Sequence, residues 1–396
     1  MNIFTKAVHA GDRKKPGPQV PATTPIFTAT TYFYDTTEQL DRVFGNEEAG
    51  YAYSRYDNPT NAALEELATE LESGHGALAC SSGMLAIQTA LHVALIDRPK
   101  RIVAASALYG ATLNMLTKVF EPFGVETRFV NACDLDAVRS AVGDVKPGCV
   151  LLETISNPLL RVPQIDRIAE IARAANAALI VDNTFATPLL VRPLELGAHI
   201  VVHSATKYLA GHGDVLGGLI VSDESHYPAL RTLSKTAGPV MGPFEAYLTM
   251  RGIKTFPLRM ERQCANACRI AAALTSNPGI ERVHYTGDPN HPDAPAVARL
   301  FPKGLHGGMI SIELKGADRE AVFAFMDALK LVVRGTSLGD VHTLVLYPAM
   351  ASHRDIAPKQ RARLGIGDNL VRLSIGIEDW SDILTDIEQA LAAARP

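Results

Sequence analysis

The chain has 396 residues, 47% of them apolar and 20% charged, with a formal net charge of −4; that is ample length for a large buried core, and nothing in the balance favours a nucleic-acid or anionic-membrane partner. No run of about 18 apolar residues marks a membrane span, and Met1-Asn2-Ile3-Phe4-Thr5-Lys6 lacks the apolar core of a secretory signal. Five cysteines (Cys80, Cys133, Cys149, Cys264 and Cys268) form an odd, sparse set that fits a reducing cytoplasm better than a disulfide framework.

Residues 1–60 are rich in Pro, Thr and Tyr, and Pro16, Pro18, Pro21 and Pro25 argue against helix there. This stretch reads as an extended arm with no core of its own, expected to lie on another subunit. From Asn61 a helical pattern begins, with Leu64, Leu67, Ala68 and Leu71 at helical spacing and Gly74 as its stop. Short apolar runs then alternate with helical segments. The runs at 77–80, 101–104, 125–130, 149–152, 178–181, 199–202 and 218–221 read as buried strands, and 83–94, 135–142 and 165–176 as helices. Such alternation predicts an α/β domain, a mostly parallel seven-stranded sheet between helices, whose ligands sit at the carboxyl ends of strands. Beyond residue 250 the rhythm changes. A long helix over 256–273, strands at 309–314 and 371–375, and helices near 321–329 and 381–393 predict a smaller α+β domain over 251–396. Cys264 and Cys268, four apart on that long helix, read as packing residues rather than metal ligands, since no other Cys or His completes a set nearby.

Two strand ends carry candidate chemistry. The run Leu179-Ile180-Val181-Asp182 places a carboxylate just past a buried strand, where an unpaired charge is costly. The run Val201-Val202-His203-Ser204-Ala205-Thr206-Lys207 places a lysine just past the next. Singly, these are an ordinary loop carboxylate and a solvated lysine. Together they match what pyridoxal phosphate (PLP) requires, an amine for a Schiff base and an acid against the pyridine nitrogen. Ser81-Ser82-Gly83-Met84 follows a strand and opens a helix, which is a capping signal and equally an anion site. Tyr53 and Arg55, on the arm, suit a phosphate.

The strings YSRYDNPT (53–60), SSGM (81–84), LYGAT (108–112), VDNTFATPLL (181–190), HSATKYLAGHGD (203–214) and VRLSIGIED (371–379) resemble the Cys/Met-metabolism PLP family, from about Thr23 to the C-terminus. Its members include cystathionine γ-synthases and γ-lyases, methionine γ-lyases and O-acylhomoserine sulfhydrylases. The resemblance implies a type I aminotransferase-like fold and a PLP enzyme acting on a small amino acid. Lys207 would hold the cofactor through the Schiff base, Asp182 would meet its pyridine nitrogen, and Tyr109 would stack on its ring and act as acid and base. Ser82, Gly83, Met84, Ser204 and Thr206 would cradle the phosphate. Tyr53 and Arg55 would reach the phosphate of a neighbouring subunit, in a homotetramer built from two dimers. Arg372 would hold the substrate carboxylate, helped by Ser337 and Asn157.

The substrate is less legible. Many methionine γ-lyases carry a cysteine where this chain has Ala111, and cystathionine enzymes tend to carry an acid where it has Thr336. The segment 342–355 also departs from the pattern of the family. Asp57 or Asp355 would either meet a cationic substrate tail, such as that of canavanine, or form an ordinary salt bridge. The expectation is γ-elimination from a γ-substituted amino acid. The alternatives are γ-replacement on an activated homoserine, a canavanine-type lyase, and a non-catalytic PLP-binding protein, against which the intact Lys207, Tyr109 and Arg372 speak.

Overall fold

The computed structural model describes residues 1–12, 19–354 and 357–393. Seven strands form the larger sheet: β1 (Gly76–Cys80), β2 (Arg101–Ala105), β3 (Glu126–Val130), β4 (Cys149–Glu153), β5 (Ala178–Asp182), β6 (Ile200–Ser204) and β7 (Gly218–Ser222). Their order is β1-β7-β6-β5-β4-β2-β3. β7 runs antiparallel to both β1 and β6, while every other pairing is parallel. The near-continuous apolar runs of the inner strands are those of a sheet buried on both faces. β3, at the edge, is the one with exposed positions, and it starts at Glu126, one residue after the buried Val125.

Residues 1–60 are not free of helix, as the prolines suggested. α1 (Ile3–His9) packs against α3 (Pro59–Glu72) through the buried Ile3 and Ala7, one turn apart, and α2 (Thr37–Phe44) is capped by the Thr36 hydroxyl. The start of the chain is therefore docked on its own body. The extended character holds between these helices: Thr31 bridges Tyr53, and the Asn58 amide donates to the Phe27 carbonyl at 2.8 Å. Of the four prolines, Pro16 and Pro18 lie outside the described residues.

α4 (Gly83–Ala94) packs on β6 and β7, and the Ser82 hydroxyl caps it by accepting from the Leu85 N–H at 3.1 Å. The second sheet has five strands in the order β10-β11-β12-β9-β8: β8 (Ile280–His284), β9 (Met309–Leu314), β10 (Val333–Arg334), β11 (Leu344–Leu346) and β12 (Leu370–Ser374). Three of them were not expected; β8 and β10 are edge strands, and β10 and β11 have two and three residues, too short for a readable period. The helices Phe256–Thr275, Arg319–Ala328 and Trp380–Ala393 supply apolar residues to the core of this sheet. Its central strand β12 carries Arg372, buried, to the carboxyl edge of the larger sheet.

Candidate active site

The carboxyl ends of β4, β5 and β6 open into a cavity of about 440 Å³ whose lining includes Ser82, Gly83, Met84, Tyr109, Asn157, Asp182, Ser204, Thr206, Lys207 and Arg372. The structure therefore brings ten of the thirteen sequence-predicted site residues to one space. An eleventh, Ser337, lies at its wall, where its hydroxyl accepts from Lys207 Nζ at 2.9 Å.

Asp182 ends β5, half-buried, and lines the cavity. Burial pushes its acidity constant up, but the Thr184 N–H and hydroxyl donate to Oδ1 at 3.0 and 2.6 Å and favour the charged form. The Thr184 hydroxyl in turn accepts from the Ser204 N–H at 2.8 Å, which locks the end of β5 to the end of β6. Lys207 follows β6 within one turn of irregular chain. Its amine is pushed down to about 8, first by burial and then by the Arg372 charge. About a tenth of it is thus neutral, and nucleophilic, at pH 7, far more than for an ordinary lysine.

Arg372 is held by two bonds: Nη1 donates to the Asn157 side-chain oxygen at 2.9 Å and Nη2 to the Ser337 carbonyl at 3.3 Å. The Phe185 ring lies 6.0 Å from its guanidinium carbon. Burial pushes Arg372 down to about 10, yet it remains charged at neutral pH. A fixed, desolvated guanidinium with donors to spare is suited to a carboxylate.

The opposite wall suits a phosphate. Gly83 and Met84 begin the 12-residue α4, whose N-terminal N–H groups face the cavity beside Ser204 and Thr206. Close backbone approach requires glycine here. A Cβ on Gly83 would stand 2.8 Å from that of Ser204, and one on Gly218 would stand 2.3 Å from the Ser82 carbonyl oxygen. Anion cradle, buried carboxylate and depressed amine share one cavity, so the residues present fit PLP.

Tyr53 and Arg55 do not join this group. The Arg55 guanidinium lies over the Tyr53 and Tyr56 rings, at 5.5 and 4.9 Å, and its stem passes Gly238, away from the cavity lining. Asp57 pairs with Arg231 at 3.4 Å. Asp355 lies outside the described residues. Thr336 lines the cavity and Ala111 does not, although neighbouring Gly110 presses so closely on the Ser352 carbonyl that a Cβ would stand 2.1 Å away. Cys264 is buried, its thiol pushed up to about 12 by burial, while Cys268 is exposed. Sequence reasoning missed Glu153, the last residue of β4, which lines the cavity and accepts from the Tyr109 N–H at 2.6 Å. The available signal was the same as for Asp182, a carboxylate ending a buried strand.

The model of the family described as "Cys/Met metabolism PLP-dependent enzyme" matches residues 4–392. The chain is 42% identical over 392 residues to an L-methionine γ-lyase of Fusobacterium nucleatum, covering 98% of each. It is 41% identical over 397 residues to a cystathionine γ-lyase of Bacillus subtilis, covering 99% of each. The crystal structure of a cystathionine γ-synthase from Xanthomonas oryzae superposes with a TM-score of 0.92 at 34% identity, over 100% of this chain and 98% of that one. This chain belongs to the Cys/Met-metabolism family of PLP-dependent enzymes.

Proposed function

We propose that this protein is a γ-lyase that acts on γ-substituted L-amino acids of the homoserine type and favours oxygen-linked leaving groups. The observation that carries this reading is the convergence of Lys207, Asp182, Tyr109 and Arg372 on one cavity. PLP, when bound, supplies an electron sink for a carbanion at the substrate Cα. The remaining work falls to the chain. Asp182 keeps a negative charge where the pyridine nitrogen must stay protonated. Arg372, steadied by Asn157 and Ser337, takes the substrate carboxylate and so fixes which face of Cα meets Lys207. Lys207, once the substrate has displaced it, takes the Cα proton and moves protons to and from Cβ, and its lowered basicity suits both directions. Tyr109, at the mouth, gives a proton to the departing γ-group. Phe185, Leu216 and Leu338 surround the reacting atoms with apolar surface.

The leaving-group preference rests on what is absent around the cavity: Ala111 supplies no thiol and Thr336 no carboxylate. Better leaving groups need less acid assistance as the Cγ bond breaks. A cationic tail as in canavanine finds no support in Asp57, which is already engaged with Arg231. γ-Replacement by a thiol uses the same groups and becomes the alternative outcome of the test.

The division of labour follows the chain, with an arm over 1–60, a PLP-binding domain over 61–250 and a C-terminal domain over 251–396. Tyr53 and Arg55, which do not line the cavity of their own chain, serve that of a neighbour in a homotetramer with shared sites. The working location is the cytoplasm; among the described residues no helix is long and apolar enough to cross a membrane.

The test is a competition among O-acetylhomoserine, methionine, cystathionine and canavanine at equal concentration, with and without a thiol, analysed for 2-oxobutanoate and for replacement products. Higher kcat/KM for O-acetylhomoserine, with 2-oxobutanoate as the main product, is expected. A clear win for methionine removes the leaving-group preference. A replacement product that dominates once thiol is added makes the protein a transferase.

A further inference from the structure

Glu153 has no part in the chemistry above, yet it is a buried carboxyl in the cavity wall beside Asp182, its register partner on the adjacent parallel strand. Paired positions on parallel strands face the same side about 4.8 Å apart, so two carboxyls stand side by side at the floor of the cavity. Glu153 is 7% exposed, and its Oε2 is buried without a hydrogen-bond partner. Its Oε1 accepts from the Tyr109 N–H at 2.6 Å, and the Asn157 N–H approaches the same carboxyl more weakly.

Each of these backbone groups belongs to a different half of the site. Tyr109 caps the short helix Gly110–Asn114 without any side-chain hydrogen bond, so the bond to Glu153 is what ties its backbone to the sheet. Asn157 carries the amide oxygen that holds Arg372. Glu153 also separates the main cavity from a smaller chamber of about 270 Å³ lined by Cys133, Arg161 and His353, and with Asn157 it forms the shared wall.

We propose that Glu153 is a positioning residue that sets the tyrosine at the cavity mouth and the arginine clamp with one side chain. The proposal rests on the roles given above to Tyr109 and Arg372. Its chemistry follows from the neighbouring Asp182. Two adjacent buried carboxylates cannot both stay ionised. Asp182 has the two Thr184 donors and keeps the charge, whereas burial and the Asp182 charge push Glu153 well up, so its free Oε2 carries the proton. A neutral Glu153 still accepts the Tyr109 N–H through Oε1 without drawing Arg372 away from its ligand.

Glutamine has the same shape and one accepting oxygen; aspartate withdraws the carboxyl by one methylene, about 1.5 Å; alanine removes it. Two quantities are read on the cofactor-loaded enzyme. One is the visible circular dichroism of bound PLP, which reports how Tyr109 sits on the ring. The other is the Kd of L-norleucine, which has no leaving group, and this reports the Arg372 clamp. Glu153→Gln should keep both within about threefold of the unsubstituted enzyme, whereas Glu153→Ala and Glu153→Asp should diminish the dichroism and raise the Kd about tenfold, the scale of losing a hydrogen bond to a buried polar group. Tyr109→Phe and Arg372→Lys calibrate the two readouts. Should Glu153→Ala fail to fold, the Asp and Gln variants decide between the outcomes. Unchanged dichroism and Kd in the alanine or aspartate variant overturn the proposal. So does a glutamine variant as damaged as the alanine one, since the carboxyl proton would then itself be in use. Neither readout needs turnover, so a failure of the γ-lyase reading would appear separately, as no product from O-acetylhomoserine.

Discussion

Two regions of the molecule bear residues that suit the same cofactor, and they reach their places in opposite ways. At the carboxyl edge of the large sheet, Glu153, Asp182 and Ser204 end three adjacent strands, and each finds its partners within the chain. On the segment between α2 and α3, Tyr53 and Arg55 do not line the cavity, and Arg55 rests on tyrosine rings. The edge is a self-contained site because strand register fixes every side chain relative to its neighbours. The segment is framed by a single bridge between Thr31 and Tyr53, and the Arg55 head group lies over aromatic faces, a modest attraction. The contrast teaches that one chain brings the strand-end residues into a single cavity, whereas Tyr53 and Arg55 do not line it, and the proposed sharing of sites between subunits is what would give them a use.

The largest effect should come from the edge. Lys207→Ala should lose covalently held cofactor and lower turnover by at least about 10³-fold, because it removes both tether and base. Borohydride reduction and peptide mapping check it; cofactor still fixed at another lysine would displace Lys207 from the role. Asp182→Asn should keep the Thr184 contacts yet lower turnover by about 10²-fold for want of charge at the ring. Unchanged turnover would remove Asp182 from the site.

The segment is tested by mixing. An Arg55→Ala protein and a Lys207→Ala protein, each nearly inactive, should regain activity on subunit exchange, since a hybrid dimer holds one site with both residues intact. No recovery, with exchange demonstrated by a tag, would mean that each site is made from one chain and the contrast is false.

A smaller effect concerns pH. The neutral amine is the nucleophile, and the lowered value of Lys207 places half-neutralisation at about 8. Cofactor-free protein should therefore bind PLP faster as pH rises and level off above about 8. Losing the adjacent positive charge in Arg372→Leu should move the midpoint upward, as the protonated amine is then less disfavoured. Stopped-flow absorbance reads both; an unshifted midpoint would leave burial as the sole cause. The smallest effect is expected at Asp57. Its pair with Arg231 is partly exposed, so Asp57→Asn should change kcat/KM for O-acetylhomoserine and canavanine alike by less than about threefold. A selective loss of canavanine turnover would restore the cationic-tail idea.

The sequence by itself determined most of the large sheet, because its inner strands are buried on both faces and so carry a nearly unbroken apolar signal. The lysine and aspartate at their ends stood out for the same reason, a charge placed where burial is costly. Arg372 and Tyr109 were found through motif resemblance alone, since nothing in the local pattern of VRLSIG or LYGAT announces their use. The small sheet was half legible: β9 and β12 have readable apolar runs, whereas β10 and β11 exist through their partners. Ile3–His9 escaped notice because a seven-residue helix has little stability of its own and forms where Ile3 and Ala7 find a surface to cover. Glu153 shows what only the tertiary structure decided. Its type and position were plain in the sequence, but that it shares a floor with Asp182, reaches the Tyr109 backbone and borders Asn157 depends on the register of β4 against β5 and on two loops folding over their ends, contacts between residues far apart in the chain that no local pattern encodes.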